Sequence, residues 1–361
     1  LTATSSTIFS PAISAEQLPE QGEVSWRSPS NIALIKYWGK KPVQLPANPS
    51  LSFTLDQSYT DTRLVFKRAA GQPQLKVMLD GKHTPDFEPK IKLFFERIAA
   101  HFAFLNNYDF TLYTTNSFPH SSGIASSASG MSALALCLCS MEAYEGEPLD
   151  WQKASYIARL GSGSACRSVF GGLALWGKHA AFETSSDEWA IAYPNKVHDV
   201  FSRFQDTILL VDRGQKKVSS SLGHSLMDTN PFSQQRFDTA HQNLHELKEV
   251  LASGDLTAFG TIVEQEALML HALMMTSKPY FILFKPATLK VIEKVWEFRE
   301  STGLHPYITL DAGANVHLLY PEEEKTSIME FIKAELVGYC ENMQYICDTV
   351  GKGPVQLTKD D

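Results

Sequence analysis

Apolar positions along this chain of 361 residues recur at two periods, and the switches between them mark its elements. Leu51, Phe53 and Leu55 alternate with polar residues, which predicts a half-buried strand. The segment before it, Val24 to Lys41, reads as a strand, a break at Pro29, and an apolar run ending in a cationic loop. Strands are predicted over 61–67 and 74–79, joined through a turn containing Gly71, with Asp80-Gly81 a hairpin turn. Others are predicted at 108–115, 173–176, 207–212, 306–310, 316–320 and 345–350. A period near 3.6 predicts a helix over 90–104, with Ile91, Phe94, Phe95 and Ile98 on one side. A short helix over 150–160 is capped by Asp150, and one over 231–252 stops at Gly254. Helices over 255–275, 289–300 and 322–337 complete the set. The stripe Leu256, Phe259, Val263, Leu270 and Met274 is core, whereas His241, His245 and His271 are expected to be surface polar residues.

Length alone predicts about two domains. A change of composition near 196–203 places the boundary there, giving an extension over 1–23, a first domain over 24–200 and a second over 201–361. The extension is polar, lacks a basic start and a long apolar core, and does not read as a secretory signal. Hydrophobic residues at 43% suffice for packed interiors. A net charge of −8 argues against a nucleic-acid surface but does not preclude a local basic pocket for an anion. Five cysteines without a CxxC pair fit a reducing compartment, and no apolar stretch reaches transmembrane length. The expectation is a cytoplasmic protein with no nucleic-acid or membrane partner.

Candidate chemistry gathers in four stretches. Ser117 to Ser132 is a loop of small residues running into the apolar segment Ala133 to Leu138. Such a loop at a helix start can hold a phosphate chain, or can simply be a packing surface. Lys36, Lys40 and Lys41 beside Tyr37 and Trp38 suit an anionic ligand or lysines reaching solvent. Gly161 to Gly172 is a second glycine and serine turn, with Arg167 inside it offering a planar fork to carboxylate or phosphate. Asp311 stands where an apolar strand opens into a small-residue turn, a position for a cleft carboxylate or for an ordinary Asx-turn. A basic, hydroxyl-rich cluster over 213–224 reads as a solvated loop by itself.

Taken together, these stretches resemble one family, the diphosphomevalonate decarboxylases of the GHMP kinase superfamily. The resemblance is carried by Asn31-Ile32-Ala33-Leu34-Ile35-Lys36-Tyr37-Trp38-Gly39-Lys40, by Phe118-Pro119 through Ala128, by Gly161 to Ser168 with Gly171-Gly172, and by Asp311-Ala312-Gly313 with Asn315. It implies an α+β, two-domain GHMP kinase fold, the first domain S5-domain-2-like and the second ferredoxin-like, with the active site in the cleft between them. It also implies ATP as co-substrate, Mg²⁺, and a homodimer. The implied reaction phosphorylates the tertiary hydroxyl of mevalonate 5-diphosphate and then expels phosphate and carbon dioxide, giving isopentenyl diphosphate. By resemblance, Asp311 orients the hydroxyl and helps remove its proton, and Lys36 holds Asp311 ionised. Arg167 grips the substrate carboxylate, and Ser220 stands near the transferred phosphate. Asn31, Tyr37, Lys40, Ser162 and Ser164 hold the substrate. Ser121, Ser122, Gly123, Ser126 and Ser127 line the ATP phosphates, with Ser127 the one hydroxyl offered to Mg²⁺.

Three departures from the family pattern stand out. Pro49 interrupts Asn48-x-Ser50-Leu51-Ser52, His120-Ser121-Ser122 replaces a Thr-Ala-Ala, and Ala314 replaces a proline. Rival readings are a decarboxylase of mevalonate 5-phosphate, a mevalonate-type kinase that does not fragment its product, and a ligand sensor without activity. The last two should lack a chemical residue, yet Lys36 and Asp311 are both present.

Overall fold

The computed structural model describes residues 8–119, 124, 126–143, 148–214 and 220–358, with the backbone alone described for Ser220 and Ser221. The first half forms β1 (Gln21–Ile35), β2 (Lys40–Lys41), β3 (Leu45–Pro46), β4 (Ser50–Arg68), β5 (Leu75–Leu79) and β6 (Lys82–His83). It continues through α1 (Glu88–Ile98), β7 (Tyr108–Asn116), α2 (Ser126–Glu142), α3 (Trp151–Gly161), β8 (Leu173–Trp176) and β9 (Ala190–Ala192). The second half forms β10 (Gln205–Leu209), α4 (Ser220–Ser225), α5 (Ser233–Ser253), α6 (Leu256–Thr276) and α7 (Pro286–Thr302). It ends with β11 (Tyr307–Thr309), β12 (Val316–Tyr320), α8 (Lys325–Phe331), β13 (Tyr345–Thr349) and β14 (Val355–Leu357).

Two main sheets result, as an α+β chain requires. The first runs β14-β1-β4-β7-β5-β6, with β8 and β9 branching from β4; the second runs β11-β12-β10-β13. Local signals account for many boundaries. Asp150 caps α3 by accepting from the Lys153 amide, Gly254 ends α5 at φ 82°, and Asp80-Gly81 turns β5 into β6 with both residues at positive φ.

Several expectations are corrected. Pro29 does not break the first strand: β1 runs through it, and a register shift between Pro29 and Asn31 absorbs the missing N–H. The separate strands near 51–55 and 61–67 are one strand, β4, and its start is buried on both faces rather than half-buried. Phe53 meets Phe204 and Phe259 of the second half, while Ser50 and Ser52 on the opposite face turn to Arg167. The Gly71 turn does not join neighbours, because β5 pairs in parallel with β7. The turn after Gly161 is mostly a tight 3₁₀ helix, Gly163–Val169. His271 is not a surface residue: it is buried to 1% exposure.

Apolar packing ties the halves together. One cluster sits between the first sheet and α1, α2 and α3, and another between the second sheet, α7 and α8. A third draws Ile32, Leu34, Leu51 and Phe53 from β1 and β4 into one core with Phe204, Leu244, Phe259 and Val263. The chain also returns: β14 pairs with β1 at Ser25 to Arg27, and the backbone before it passes against Gly171 and Leu55. The described part of the N-terminal extension is fastened too. The Phe9 carbonyl meets His101, its ring meets Tyr156, and Lys153 donates to the Ser10 carbonyl.

A Cβ added at Gly171 would stand 2.1 Å from the Lys352 carbonyl oxygen, whereas one at Gly130 would meet nothing within 4 Å. Gly171→Ala is therefore expected to destabilise the fold by about 1–3 kcal/mol, the usual cost of overpacking. Gly130→Ala, on a helix, should be neutral or slightly stabilising. Urea titration of both variants checks the contrast.

Candidate active site

The site begins where β1 ends and its chain must turn without leaving peptide groups unpaired. The Lys36 N–H donates to Glu266 Oε2 at 2.8 Å. Its carbonyl accepts from Asn48 Nδ2 at 3.0 Å and from Arg236 Nη2 at 3.2 Å. Glu266, fully buried, is itself held by Arg236 at 2.6 Å and by Asn243 at 2.7 Å. Helices α5 and α6 thus fix the backbone of Lys36 through a buried ion pair, and the side chain projects to Asp311, with Nζ 3.1 Å from Oδ1.

Asp311 follows β11 in a turn of its own. Its carbonyl accepts from the Gly313 N–H at 2.7 Å and meets His271 Nε2 at 3.2 Å. Next to that turn, the Asn315 side-chain oxygen accepts from the Asp212 N–H at 2.9 Å, fastening the turn to the end of β10. Lys36 is 1% exposed and Asp311 is 31% exposed, so the carboxylate faces the cleft while the ammonium stands behind it. Burial pulls the Lys36 pKa below its ordinary value, and the Asp311 charge opposes the shift. His271 is stacked on Phe284 at 4.0 Å, and burial pushes its pKa down to about 4, so it meets the Asp311 carbonyl as a neutral ring. A neutral imidazole can reach a carbonyl oxygen only by donating, which assigns its proton to Nε2.

Arg167 lies on the 3₁₀ helix, 2% exposed. Its guanidinium donates to Ser50 Oγ at 2.5 Å, Ser52 Oγ at 3.0 Å and Asn31 Oδ1 at 3.2 Å. Asn31 is oriented by Ser168 Oγ at 2.7 Å and by the Ser164 carbonyl at 3.3 Å. No carboxylate lies within ion-pair distance of Arg167 among the described residues, although the charges of Asp311 and Lys36 both reach it. A buried cation supported only by neutral acceptors is poised for an incoming anion.

Tyr37 lies against the same turn: a Cβ at Gly163 would come within 2.7 Å of its hydroxyl oxygen. That hydroxyl and Trp38 Nε1 are buried without a hydrogen-bond partner among the described residues. Between the two rings sits His224, with centroids 4.4 Å from Tyr37 and 4.5 Å from Trp38, and its Nδ1 accepts from the Gly39 N–H. Burial holds His224 neutral, with Lys40 repelling its proton as well. This stack sets the direction of the Tyr37 to Lys40 loop.

A serine-lined side adjoins it. Ser127, exposed in the first turn of α2, has its hydroxyl 3.5 Å from that of Ser162. Ser126, Ser127 and Gly130 line a cavity of about 280 Å³ with Thr60, Thr62, Lys90 and Asn116. Ser121, Ser122 and Gly123 lie outside the described residues, as does the side chain of Ser220. Among the expected site residues, Asn31, Lys36, Arg167 and Asp311 share one charged cluster, and Tyr37, Ser162 and Ser164 border it. Sequence reasoning missed Glu266, Arg236, Asn243, His224 and His271. On helices they look like ordinary surface polar residues, and only burial separates them from such.

Two family models match this chain. Residues 28–187 match the diphosphomevalonate decarboxylase-like N-terminal domain, and residues 207–360 the mevalonate 5-diphosphate decarboxylase C-terminal domain. The chain belongs to the diphosphomevalonate decarboxylase family. A diphosphomevalonate decarboxylase of Ganoderma lucidum is 29% identical over 84% of this chain and 80% of its own length. Among solved structures, mevalonate diphosphate decarboxylase of Staphylococcus aureus matches with a TM-score of 0.79 at 29% identity, covering 94% of this chain and 98% of that one. The enzyme of Enterococcus faecalis matches with a TM-score of 0.78 at 28% identity, over 94% and 100%. The expected two-domain GHMP kinase fold of this family is therefore the observed one.

A lysine whose pKa falls below its ordinary value loses its proton earlier as pH rises. Activity that needs the Lys36 ammonium should therefore decline on an alkaline limb below that value. Lys36→Arg keeps the charge and should move the limb upward; Lys36→Met should cut kcat by about 10²-fold or more. Rates measured from neutral to alkaline pH check both.

Proposed function

We propose that this protein catalyses the ATP-dependent decarboxylation of mevalonate 5-diphosphate to isopentenyl diphosphate, ADP, phosphate and carbon dioxide. The observation that carries the reading is the Lys36–Asp311 contact at 3.1 Å in a cleft that also holds Arg167, a buried cation with no ion-pair partner among the described residues. Homologous structures fit this reading: one was determined with MVAPP, AMPPCP and magnesium.

In this reading the tertiary hydroxyl lies against Asp311. The carboxylate accepts its proton as the oxygen attacks the γ-phosphorus of ATP, and the bond to ADP breaks. Lys36 keeps Asp311 ionised before the transfer and stabilises the site's charge during it. The new phosphate then leaves with the electrons of its C–O bond. The neighbouring C–C bond to the carboxylate supplies the electrons of the alkene, and carbon dioxide departs. Arg167 holds that carboxylate in line, donating from a guanidinium already fixed by Ser50, Ser52 and Asn31, so little ordering is left for the reaction itself. Tyr37, Lys40, Ser162 and Ser164 contribute the hydroxyls and charge that hold the substrate and its diphosphate.

The cavity beside Ser126 and Ser127 takes the nucleotide, its apolar wall of Val77, Leu79, Leu112 and Met131 suited to a base and its serine end to phosphates. Magnesium fits as an ion carried on those phosphates. The protein's own donor there is the exposed Ser127 hydroxyl, and no cluster of acidic or histidine ligands exists among the described residues. When bound, the ion would neutralise phosphate charge. We also place the protein in the cytoplasm as a homodimer, supported by five unpaired cysteines and by the family resemblance. No helix among the described residues is long and apolar enough to cross a membrane.

Asp311→Ala should abolish ATP-dependent carbon dioxide release while leaving nucleotide binding intact, and Arg167→Gln should lower kcat by orders of magnitude with a smaller change in KM. Mevalonate, its 5-phosphate and its 5-diphosphate, assayed for both ADP and carbon dioxide, test the substrate. Release of carbon dioxide from the 5-phosphate alone, or ADP without carbon dioxide, would overturn this assignment.

A further inference from the structure

Three cations approach the mouth of the cleft, none of them in an ion pair among the described residues. Lys90 and Arg97 lie seven residues apart on α1 with Phe94 between them, which places all three on one helix face. That face is pressed on the turn leading into the site: a Cβ at Gly161 would stand 3.2 Å from the Phe94 ring. Arg97 Nη1 donates to the Leu160 carbonyl at 3.3 Å, one residue before Gly161 and two before Ser162. Lys90 lines the cavity of Ser126 and Ser127, whose hydroxyl side adjoins Ser162. Lys40 begins β2, three residues beyond Tyr37, whose hydroxyl lies against Gly163. Burial lowers the Lys40 pKa, and the charges of Arg97 and then Lys90 lower it further, so the three repel one another. Some surface cations here pair with acids, such as Arg68 with Glu20 and Lys294 with Glu335. Lys40, Lys90 and Arg97 have no ion-pair partner among the described residues.

An incoming anion relieves such repulsion, and one with several charges relieves it most. Arg97 offers the planar fork that matches two oxygens of a terminal phosphate, while Lys40 supplies a point charge. Among the described residues the Arg97 guanidinium makes one hydrogen bond, to a backbone carbonyl, which leaves the other N–H groups of the fork for a ligand. We propose that Arg97 is a specificity-determining residue, receiving the terminal phosphate of the substrate's 5-diphosphate across the cleft mouth from Lys40. This rests on the functional reading above and extends it: it names what separates a diphosphate from a monophosphate. A 5-monophosphate ends one phosphate short and gains nothing from Arg97.

The test is steady-state kinetics of the full chain with Arg97→Met and Arg97→Lys, using mevalonate 5-diphosphate and mevalonate 5-phosphate, with KM for ATP measured in parallel. Arg97 is exposed, so both variants should fold. For Arg97→Met the expected result is a rise in KM for the diphosphate of about ten-fold or more, the worth of a charged hydrogen bond, with kcat little changed. The same variant should leave the KM values for the monophosphate and for ATP unchanged. Arg97→Lys should recover part of the loss, and added salt should shrink the difference between wild type and Arg97→Met. An unchanged KM for the diphosphate overturns the proposal. So does a rise confined to ATP, which would assign Arg97 to the nucleotide. Wild-type protein that releases no carbon dioxide from the diphosphate overturns the functional reading and this proposal with it.

Discussion

A buried ammonium is the constraint on which this structure rests. Lys36 is 1% exposed, and a lysine in that position is tolerated only beside a compensating charge. The charge comes from Asp311, 275 residues away in sequence and in the other half of the chain. The pair therefore exists only when both halves are assembled. Everything near it serves that meeting: Glu266 and Arg236 hold the Lys36 backbone, His271 and Gly313 hold the Asp311 carbonyl, and an apolar core joins β1 and β4 to α5 and α6. The buried Arg236–Glu266 pair, costly to desolvate, is offset by their mutual hydrogen bonds, by one from Asn243 and by two to the Lys36 backbone.

The same logic explains how a chain of net charge −8 can favour polyanions. Local charge matters more than the total, because a cleft with low-dielectric walls concentrates the field of a few side chains. Arg167 is braced by hydroxyl and amide oxygens, which fix its direction without neutralising it. Lys40, Lys90 and Arg97 have no ion-pair partner among the described residues, and the charges of Arg97 and Lys90 both reach Lys40. The hydroxyls of Ser127 and Ser162 complete a donor-rich lining beside these charges.

Chain connectivity adds rigidity where the chemistry needs it. The last strand, β14, pairs with β1, and the backbone leading to it presses on Gly171, just beyond the 3₁₀ helix that carries Arg167. The end of the chain thereby braces the turn that positions the guanidinium. The bulge at Pro29 has a comparable effect, since it comes just before Asn31, whose side chain orients Arg167.

Local features needed only neighbouring residues, and the sequence by itself determined them. The helix stops at Gly254 and Gly303, the Asp150 cap, the turn at Asp80-Gly81 and the four motifs all follow from short-range sterics and hydrogen bonding. Those motifs named Lys36, Arg167 and Asp311 as the residues to watch. Tertiary structure alone decided which polar residues are buried. His271 and Glu266 lie on helices whose sequence reads as partly polar surface, and Ser50 and Ser52 look like the solvent side of a strand. Each is buried because a distant segment covers it. Periodicity records which residues share a face, but it holds no information about what will be laid against that face. Burial, and with it charge state and hydrogen-bond direction, is set by contacts between residues far apart in the chain.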